Sequence, residues 1–377
     1  MYRINFSLKH NLRLIIIIKA MIWRVTMKIL RKIFILIMVP VMITIPLIGS
    51  VQKNESISSN VVPGQIVKVG VIVSKFDNVY LSLVTQSLEK IQKENSGKVE
   101  FTFLDGKGDQ VIQNQLIDTT LQKDFDLFLV NLVDTSEATV SSVINKVKQT
   151  NVPLILFNIA PFLTESIKSY NQVLVVATDV EQSGALEGKL LVDEWNTNKL
   201  TLDKNKDNIL QYVMLSGNIT DTLSIARTKY SVSTIKDAGI KTQELALLVT
   251  TGTQESAKNA IESLFSNQGN KIEAIIANDD TMAIGAIEAL QQYGYNKGDK
   301  ALTISVVGIN GIPEAEDLIK KGFMTGTVVQ DAPAMAEALY TVGMNLVDGK
   351  YALQGTDYKF DETGVIIKMP YHPYIEK

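Results

Sequence analysis

The stretch IVKVGVIVSKFDNVYLSLVTQSLEKI, residues 66–91, contains one strand and one helix of the predicted fold. Its first eight residues are mostly β-branched, which is typical of a strand buried on both faces. The apolar residues that follow recur at helical spacing, at Leu81, Val84, Leu88 and Ile91. The stretch therefore predicts a buried parallel strand that leads into an amphipathic helix.

The same alternation of strand and helix continues along the chain. Further strands are predicted at Val99–Leu104, Asp126–Asn131, Pro153–Asn158, Val173–Thr178, Ile209–Leu215, Leu245–Thr250, Glu273–Asn278 and Thr303–Ile309. Helices are expected around residues 140–147 and at Leu223–Lys236, Ser256–Phe265, Thr281–Gln292 and Ala332–Val347. Alternating strands and helices indicate an α/β fold with doubly wound parallel sheets. About ten strands are too many for one such sheet, so we predict two domains with a ligand cleft between them.

The composition excludes several classes of function. Of the 377 residues, 46% are hydrophobic and 20% are charged, as expected for a globular protein. There is no cysteine and there are only two histidines, and no phosphate-binding loop or paired acid and base is present, so an enzyme is not expected. Before Ser50 the chain has eight Lys or Arg and no acid, whereas the remainder has 29 basic and 40 acidic residues. Such an acidic body is not expected to bind nucleic acid.

Residues 33–51, IFILIMVPVMITIPLIGSV, are uncharged and long enough to cross a bilayer as a helix. Three basic residues come immediately before them, Lys28, Arg31 and Lys32. The positive-inside rule therefore places residues 1–32, the basic N-terminus, in the cytoplasm and exports the rest, beginning with a polar linker at 52–65. The apolar segment is predicted to be a transmembrane anchor or a signal segment cleaved near Ser50. The anchor is favoured because Ile48, not a small residue, stands third before that point.

Several predicted strands end in side chains that can form hydrogen bonds. The candidate ligand-binding residues are Asn78, Tyr80, Asn131, Asp221, Arg227, Asp279, Asn310 and Gln330. Amides, carboxylates and a guanidinium can each bind vicinal hydroxyl groups, and the Tyr80 ring can face the apolar side of a sugar. Asn and Asp at strand ends are also common turn formers and helix caps, so each residue has an alternative, purely structural role.

The loop DKNKDNILQ, residues 203–211, has oxygen-bearing side chains at positions 1, 3, 5 and 9 and the Ile209 carbonyl at position 7. This is the spacing of the first nine positions of an EF-hand-type calcium loop. Asn208 replaces the usual glycine at position 6, and Met214 stands at position 12, where a glutamate is expected. The pattern alone fits either a calcium site completed by a distant carboxylate or a solvated polar turn.

Several of these stretches resemble the periplasmic glucose/galactose-binding proteins, which are type I sugar-binding clamps. The stretches are distributed along nearly all of residues 67–371. They are KFDNVY, residues 131–134, NVPLILFN, residues 226–228, IEAIIANDDTMAIGAIEAL, VVGINGIPEA and GTVVQDA. The resemblance implies two lobes joined by a three-crossover hinge. The N-terminal lobe is then expected to contain residues 66–157 and 331–356, and the C-terminal lobe residues 158–330 and 357–377.

The resemblance also implies ligands. A structural Ca²⁺ is expected on Asp203, Asn205, Asp207, Ile209, Gln211 and Glu273. Asn131 and Arg227 match sugar contacts of the family, whereas the sequence departs from the family at the other candidate positions and at Leu223 and Gly252, where a carboxylate and a stacking aromatic are lost.

These features predict an extracytoplasmic solute-binding protein that delivers a sugar of the galactose or glucose type to the permease of an ABC importer. It would lie at the outer face of the cell membrane, held by the N-terminal anchor, or be secreted if the segment is cleaved. The alternative is a membrane-anchored sugar sensor that signals to a histidine kinase. The altered pocket and the absence of a cysteine for lipidation favour that alternative.

Overall fold

The structure is a computed structural model that describes residues 65–160, 165–219 and 221–376. The first sheet contains six strands in the order β2-β1-β3-β4-β5-β11, all parallel to their neighbours. These strands are β1 (Val67–Val73), β2 (Val99–Asp105), β3 (Leu127–Val130), β4 (Leu154–Phe157), β5 (Val173–Thr178) and β11 (Ile366–Met369). The chain winds in both directions from β1, as the alternating pattern predicts.

The second sheet repeats this arrangement in the order β7-β6-β8-β9-β10-β12. Its strands are β6 (Ile209–Ser216), β7 (Lys241–Val249), β8 (Ala274–Ala277), β9 (Ser305–Asn310), β10 (Gly326–Gln330) and β12 (Tyr371–Tyr374). Strand β12 runs antiparallel to β10, whereas the other pairs are parallel. The prediction of two doubly wound α/β domains is therefore confirmed, with an antiparallel edge strand that was not foreseen.

Ten α-helices connect the strands in the part of the chain that the structure describes. They are α1 (Val79–Glu94), α2 (Gln110–Thr120), α3 (Glu137–Lys148), α4 (Glu165–Lys168), α5 (Val180–Leu202), α6 (Thr222–Asp237), α7 (Gln254–Gln268), α8 (Asp280–Gln292), α9 (Pro313–Lys320) and α10 (Ala332–Val347). Each sheet has an apolar cluster on both faces, so helices pack on both faces of each sheet, as is usual for parallel sheets.

The chain crosses between the two lobes three times, but at positions that differ from the predicted boundaries. Residues 158–178, assigned to the second lobe, include β5, which pairs in the first sheet with β4. Residues 357–377 were also assigned to the second lobe, yet β11 in this range pairs with β5. The crossovers therefore follow Thr178, Gln330 and Met369. Only the second of them coincides with the prediction, because strand patterns do not reveal which sheet a strand joins.

The predicted N-terminal elements, residues 1–32, the apolar segment 33–51 and most of the linker 52–65, lie outside the described residues. Within the described ranges, no helix combines the length and the apolar character needed to span a bilayer.

Gly285 sets the distance between helices α7 and α8. A Cβ atom at this position would lie 2.2 Å from the carbonyl oxygen of Gln254, which is backbone and cannot rotate away. We expect Gly285→Val to lower the free energy of unfolding by about 3 kcal/mol, because the two helices must separate. Denaturant unfolding measures this, with Gln292→Val at the exposed end of α8 as the control. Equal effects of both substitutions would contradict the close contact.

Candidate functional site

Carboxyl ends of strands from the two sheets come together at the junction of the two lobes. Asn158 follows β4 in the first lobe, and Gln330 ends β10 in the second. The Gln330 Nε2 donates a hydrogen bond to Asn158 Oδ1 at 2.7 Å, which joins the lobes beside one crossover. Leu83 on α1 of the first lobe packs against the apolar clusters of both lobes. The polar strand ends therefore surround the junction of the two lobes.

Arg227 on α6 is the buried cation of this site, with 7% of its surface exposed. Its Nη1 donates to the Asn278 carbonyl at 2.8 Å, and its Nη2 donates to the Tyr371 hydroxyl at 3.3 Å. Its Nε is buried and has no hydrogen-bond partner among the described residues. Burial lowers the pKa of Arg227, but Tyr371, Asp279 and Asp221 outweigh this and raise the pKa, so the guanidinium stays charged.

Tyr80 on α1 is a residue of the first lobe that lies near the Arg227 guanidinium. Only 3% of its surface is exposed, and its hydroxyl has no well-formed hydrogen bond within the described residues. Burial raises the pKa of Tyr80 well above its usual value, and the neighbouring Tyr371 and Asp331 raise it further, while Arg227 and Gln330 lower it. A buried tyrosine hydroxyl usually has a partner. Tyr80 is therefore a group that can still donate to a ligand oxygen.

Three candidate ligand-binding residues cap the helices that begin at the cleft. Asn78 accepts from Leu81 N at 3.0 Å at the start of α1, and it is exposed. Asp221 caps α6 by accepting from Ser224 N, and Asp279 caps α8 by accepting from Met282 N, each at 2.9 Å. The alternative structural role therefore applies to these three residues. Each of the two carboxylates keeps lone pairs beyond its capping bond and contributes negative charge near Arg227.

Asn131 ties three strand ends of the first lobe together. Its Oδ1 accepts from Ser74 N at 3.3 Å, and its Nδ2 donates to the carbonyls of Phe157 and Asn158 at 3.1 and 3.3 Å. The amide donors of Asn131 are thus used within the protein. Asn310 is the last residue of β9 in the second lobe and has a φ of 126°.

Two residues that the sequence analysis did not select also belong to this junction. Tyr371 begins β12 and accepts the hydrogen bond from Arg227, and Asn158 accepts from Gln330. Asn158 stands at the end of a predicted strand, so its position was available from the pattern. Tyr371 had no such signal, because it lies beyond the last predicted strand and follows a proline.

The loop at 203–211 is held together by hydrogen bonds from backbone N–H groups to its own side chains. The two carboxylate oxygens of Asp203 accept from the backbone N–H groups of Asp207 and Asn208, each at 3.1 Å. The Oδ1 of Asn205 accepts from Asp207 N at 2.9 Å. Asn208 has a φ of 62°, so it adopts the left-handed conformation for which a glycine is usual at this position.

Glu273, immediately before β8, reaches this loop from a distance of more than 60 residues in the sequence. Its carboxylate accepts from Lys204 N at 2.8 Å and from Gln211 N at 3.0 Å. The Oε1 of Gln211 is buried without a hydrogen-bond partner among the described residues. In the described ranges, no group of three or more acidic or histidine side chains is arranged so that these groups alone could hold a metal ion. A cation here would therefore depend on amide and carbonyl oxygens as well.

Comparison with known proteins identifies the relatives of this chain. The D-galactose/methyl-galactoside binding periplasmic protein MglB of Haemophilus influenzae is 33% identical over 307 residues, which cover 81% of this chain and 88% of that protein. The ribose import binding protein RbsB of Bacillus subtilis is 22% identical over 287 residues, or 75% of this chain and 82% of that protein.

The same fold occurs in a solved ABC transporter solute binding protein from Bacillus halodurans with bound myo-inositol. The TM-score is 0.66 at 23% identity, and the match covers 83% of this chain and 95% of that one. The sequence model of the periplasmic binding protein domain matches residues 69–351. The predicted resemblance is thereby confirmed, and the relatives are binding proteins rather than enzymes. This chain belongs to the periplasmic binding protein family.

Proposed function

We propose that this protein binds a monosaccharide of the galactose type in the cleft between its two lobes and delivers it to an ABC importer. The observation that carries the proposal is the 33% identity to a galactose-binding protein across 88% of that relative. The chemistry of the cleft agrees with it. A sugar offers both donors and acceptors, while the buried Arg227 Nε has no partner and the Tyr80 hydroxyl has no well-formed hydrogen bond among the described residues.

The closed contact between the lobes supports a clamp mechanism. Tyr80 and Leu83 of the first lobe already reach the second lobe, and Gln330 joins the lobes at a crossover. Domain closure around three crossovers would bury the sugar between the aromatic ring of Tyr80 and the guanidinium of Arg227. Opening about the same crossovers would release the sugar to the permease.

The choice among sugars depends on positions where the chain departs from the family. Leu223 is half-buried beside the cap residue Asp221 and offers no hydrogen bond. Gly252 has no side chain and therefore offers no aromatic face to a ligand, and a Cβ atom at this position would meet no described atom within 4 Å. The test must therefore compare D-galactose with D-glucose, D-ribose, xylitol and myo-inositol.

The direct test is thermal unfolding of the full chain in detergent with each of these solutes. At about 100 times its dissociation constant, a ligand adds about 2.7 kcal/mol of stability and raises the melting temperature by about 5 °C. We expect D-galactose to produce this shift and L-galactose, the matched enantiomer, to produce none. If no sugar or polyol raises the melting temperature, the proposed function is wrong.

The transport role and the location follow the relatives. An import binding protein is among them, which favours delivery to a permease over signalling to a kinase. We infer an extracytoplasmic location because the galactose-binding relative is periplasmic. The predicted N-terminal anchor would keep the protein at the outer face of the membrane.

We further propose that the loop at 203–211 binds Ca²⁺ with Glu273. The donor set suits this ion, since the unpartnered Gln211 Oε1 and the carboxylates of Asp203, Asp207 and Glu273 are hard oxygen ligands. In the absence of a cation, these carboxylates oppose one another. Burial raises the pKa of Glu273, and the charges of Asp203 and Asp207 raise it further.

Calcium is expected to stabilise the protein. Adding Ca²⁺ at about 100 times its dissociation constant should raise the melting temperature by about 5 °C, and EDTA should reverse the shift. Glu273→Gln should abolish the effect, while the control Glu244→Gln, an exposed acid outside the ligand set, should keep it. No response of the unsubstituted chain to Ca²⁺ or EDTA would show that the loop is a polar turn.

A further inference from the structure

Glu187 on helix α5 is a fully buried carboxylate that has no role in the proposed function. Neither of its oxygens accepts a hydrogen bond from a described residue, and none of its surface is exposed. The Nε of Arg227 is buried and without a described partner in the same way. Leaving a buried polar group without a partner is costly, so the unpartnered oxygens of Glu187 and the unpartnered N–H of Arg227, which lie on neighbouring helices, favour each other as partners.

The helices that carry these two residues are in backbone contact. A Cβ atom at Gly184 would lie 2.8 Å from the Arg227 carbonyl, and one at Gly188 would lie 2.3 Å from the Ser231 carbonyl. Glu187 lies between these two glycines, in the same turn of α5. The close packing of α5 on α6 therefore places the Glu187 side chain beside the helix turn that carries Arg227.

Three other charged groups influence Glu187. Burial raises the pKa of Glu187 well above its usual value; Arg227 lowers the pKa in part, and Asp280 and Asp279 raise it further. Asp279 accepts from Met282 N at 2.9 Å, and Asp280 accepts from Ile312 N at 3.0 Å and from Thr327 Oγ1 at 2.6 Å. Both aspartates are thus engaged with neutral donors. Glu187 is the acid of this group whose two side-chain oxygens have no donor among the described residues, so they are available to the guanidinium.

We propose that Glu187 is a positioning residue for Arg227: in the working clamp a carboxyl oxygen of Glu187 accepts the hydrogen bond of Arg227 Nε. This would fix the guanidinium plane, keep Nη1 and Nη2 on Asn278 and Tyr371, and aim the remaining N–H groups at the ligand. The effect on ligand affinity rests on the proposed sugar-binding function, whereas the pairing itself does not.

The test is a double-mutant cycle in the full chain with D-galactose as the probe. Glu187→Gln keeps an acceptor of the same shape and should leave the dissociation constant within about threefold of the unsubstituted chain, whereas Glu187→Leu should raise it about tenfold or more. Arg227→Lys removes the Nε–H donor but keeps the charge. In that background Glu187→Leu should cost no further affinity. Unchanged affinity in Glu187→Leu, or an equal loss in both backgrounds, would overturn the proposal.

A second readout does not need the sugar. The unfolding equilibrium constant of the same four chains is measured without ligand. The factor by which Glu187→Leu changes this constant should differ at least about threefold between the chain that has Arg227 and the Arg227→Lys variant. If D-galactose does not bind but this coupling is present, the pair stands and the proposed function fails. If the coupling is absent, Glu187 does not act through Arg227.

Discussion

Replacing Arg227 with methionine is expected to raise the dissociation constant for D-galactose about 100-fold or more. The substitution removes a buried, charged hydrogen-bond donor, and losing one partner of such an interaction costs about 2–5 kcal/mol. It also leaves Asp279 and Asp221 without the cation that lies near them. Isothermal titration calorimetry below the melting temperature measures the change.

The matched control is Lys229→Met, which removes an exposed cation from the same helix. It should leave the affinity within about twofold, because exposed charges contribute little. Arg227→Lys keeps the charge but loses the planar fork, and an intermediate loss is expected. An Arg227→Met variant that is folded and binds D-galactose as tightly as the unsubstituted chain would remove Arg227 from the site.

Asp280 should make stability depend on pH. The residue is completely buried, and burial raises its pKa to about 7, against hydrogen bonds from Thr327 and Ile312 that lower it. In the unfolded chain the pKa is about 3.9. Between these values the folded chain keeps a proton that the unfolded chain has released, so the stabilisation is complete below pH 4 and is lost as the pH rises towards 7.

Comparison with Asp280→Asn separates the titration of Asp280 from the titration of the other acidic residues. The difference in the free energy of unfolding between the unsubstituted chain and the variant should fall by up to about 1.4 kcal/mol per pH unit between pH 5 and 7. It should be constant above pH 8, where both states are ionised. Denaturant unfolding at several pH values measures it. A difference that does not change between pH 5 and 7 would show that Asp280 is ionised in the folded protein.

The sequence predicted the internal strands of both lobes well, because buried parallel strands are unbroken apolar runs. Strand β8 was placed within one residue at each end of the range 273–278, and β5 at its observed bounds, Val173–Thr178. The edge strand β7 begins four residues earlier than predicted, at Lys241, because its outer part is half-exposed and lacks an apolar run. The short strand β12, which contains Tyr371, carries no such pattern.

The location of the candidate site could be predicted from the sequence, but the contacts of its residues could not. The rule that ligands bind at the carboxyl ends of strands located Arg227, Tyr80 and Gln330 at one junction. It could not distinguish Asn131, whose amide ties strand ends together, from a residue free to bind. Hydrogen bonds between segments more than 20 residues apart in the sequence decide that difference, and a local pattern does not encode them.

The most direct test of the account is a crystal structure of the protein with D-galactose. We expect one sugar between the two lobes, with its hydroxyl groups within about 3.2 Å of the Arg227 guanidinium and of the Tyr80 hydroxyl. A sugar bound elsewhere on the surface, or a cleft that holds no sugar at saturating D-galactose, would contradict the claim that the junction of the two lobes is the binding site.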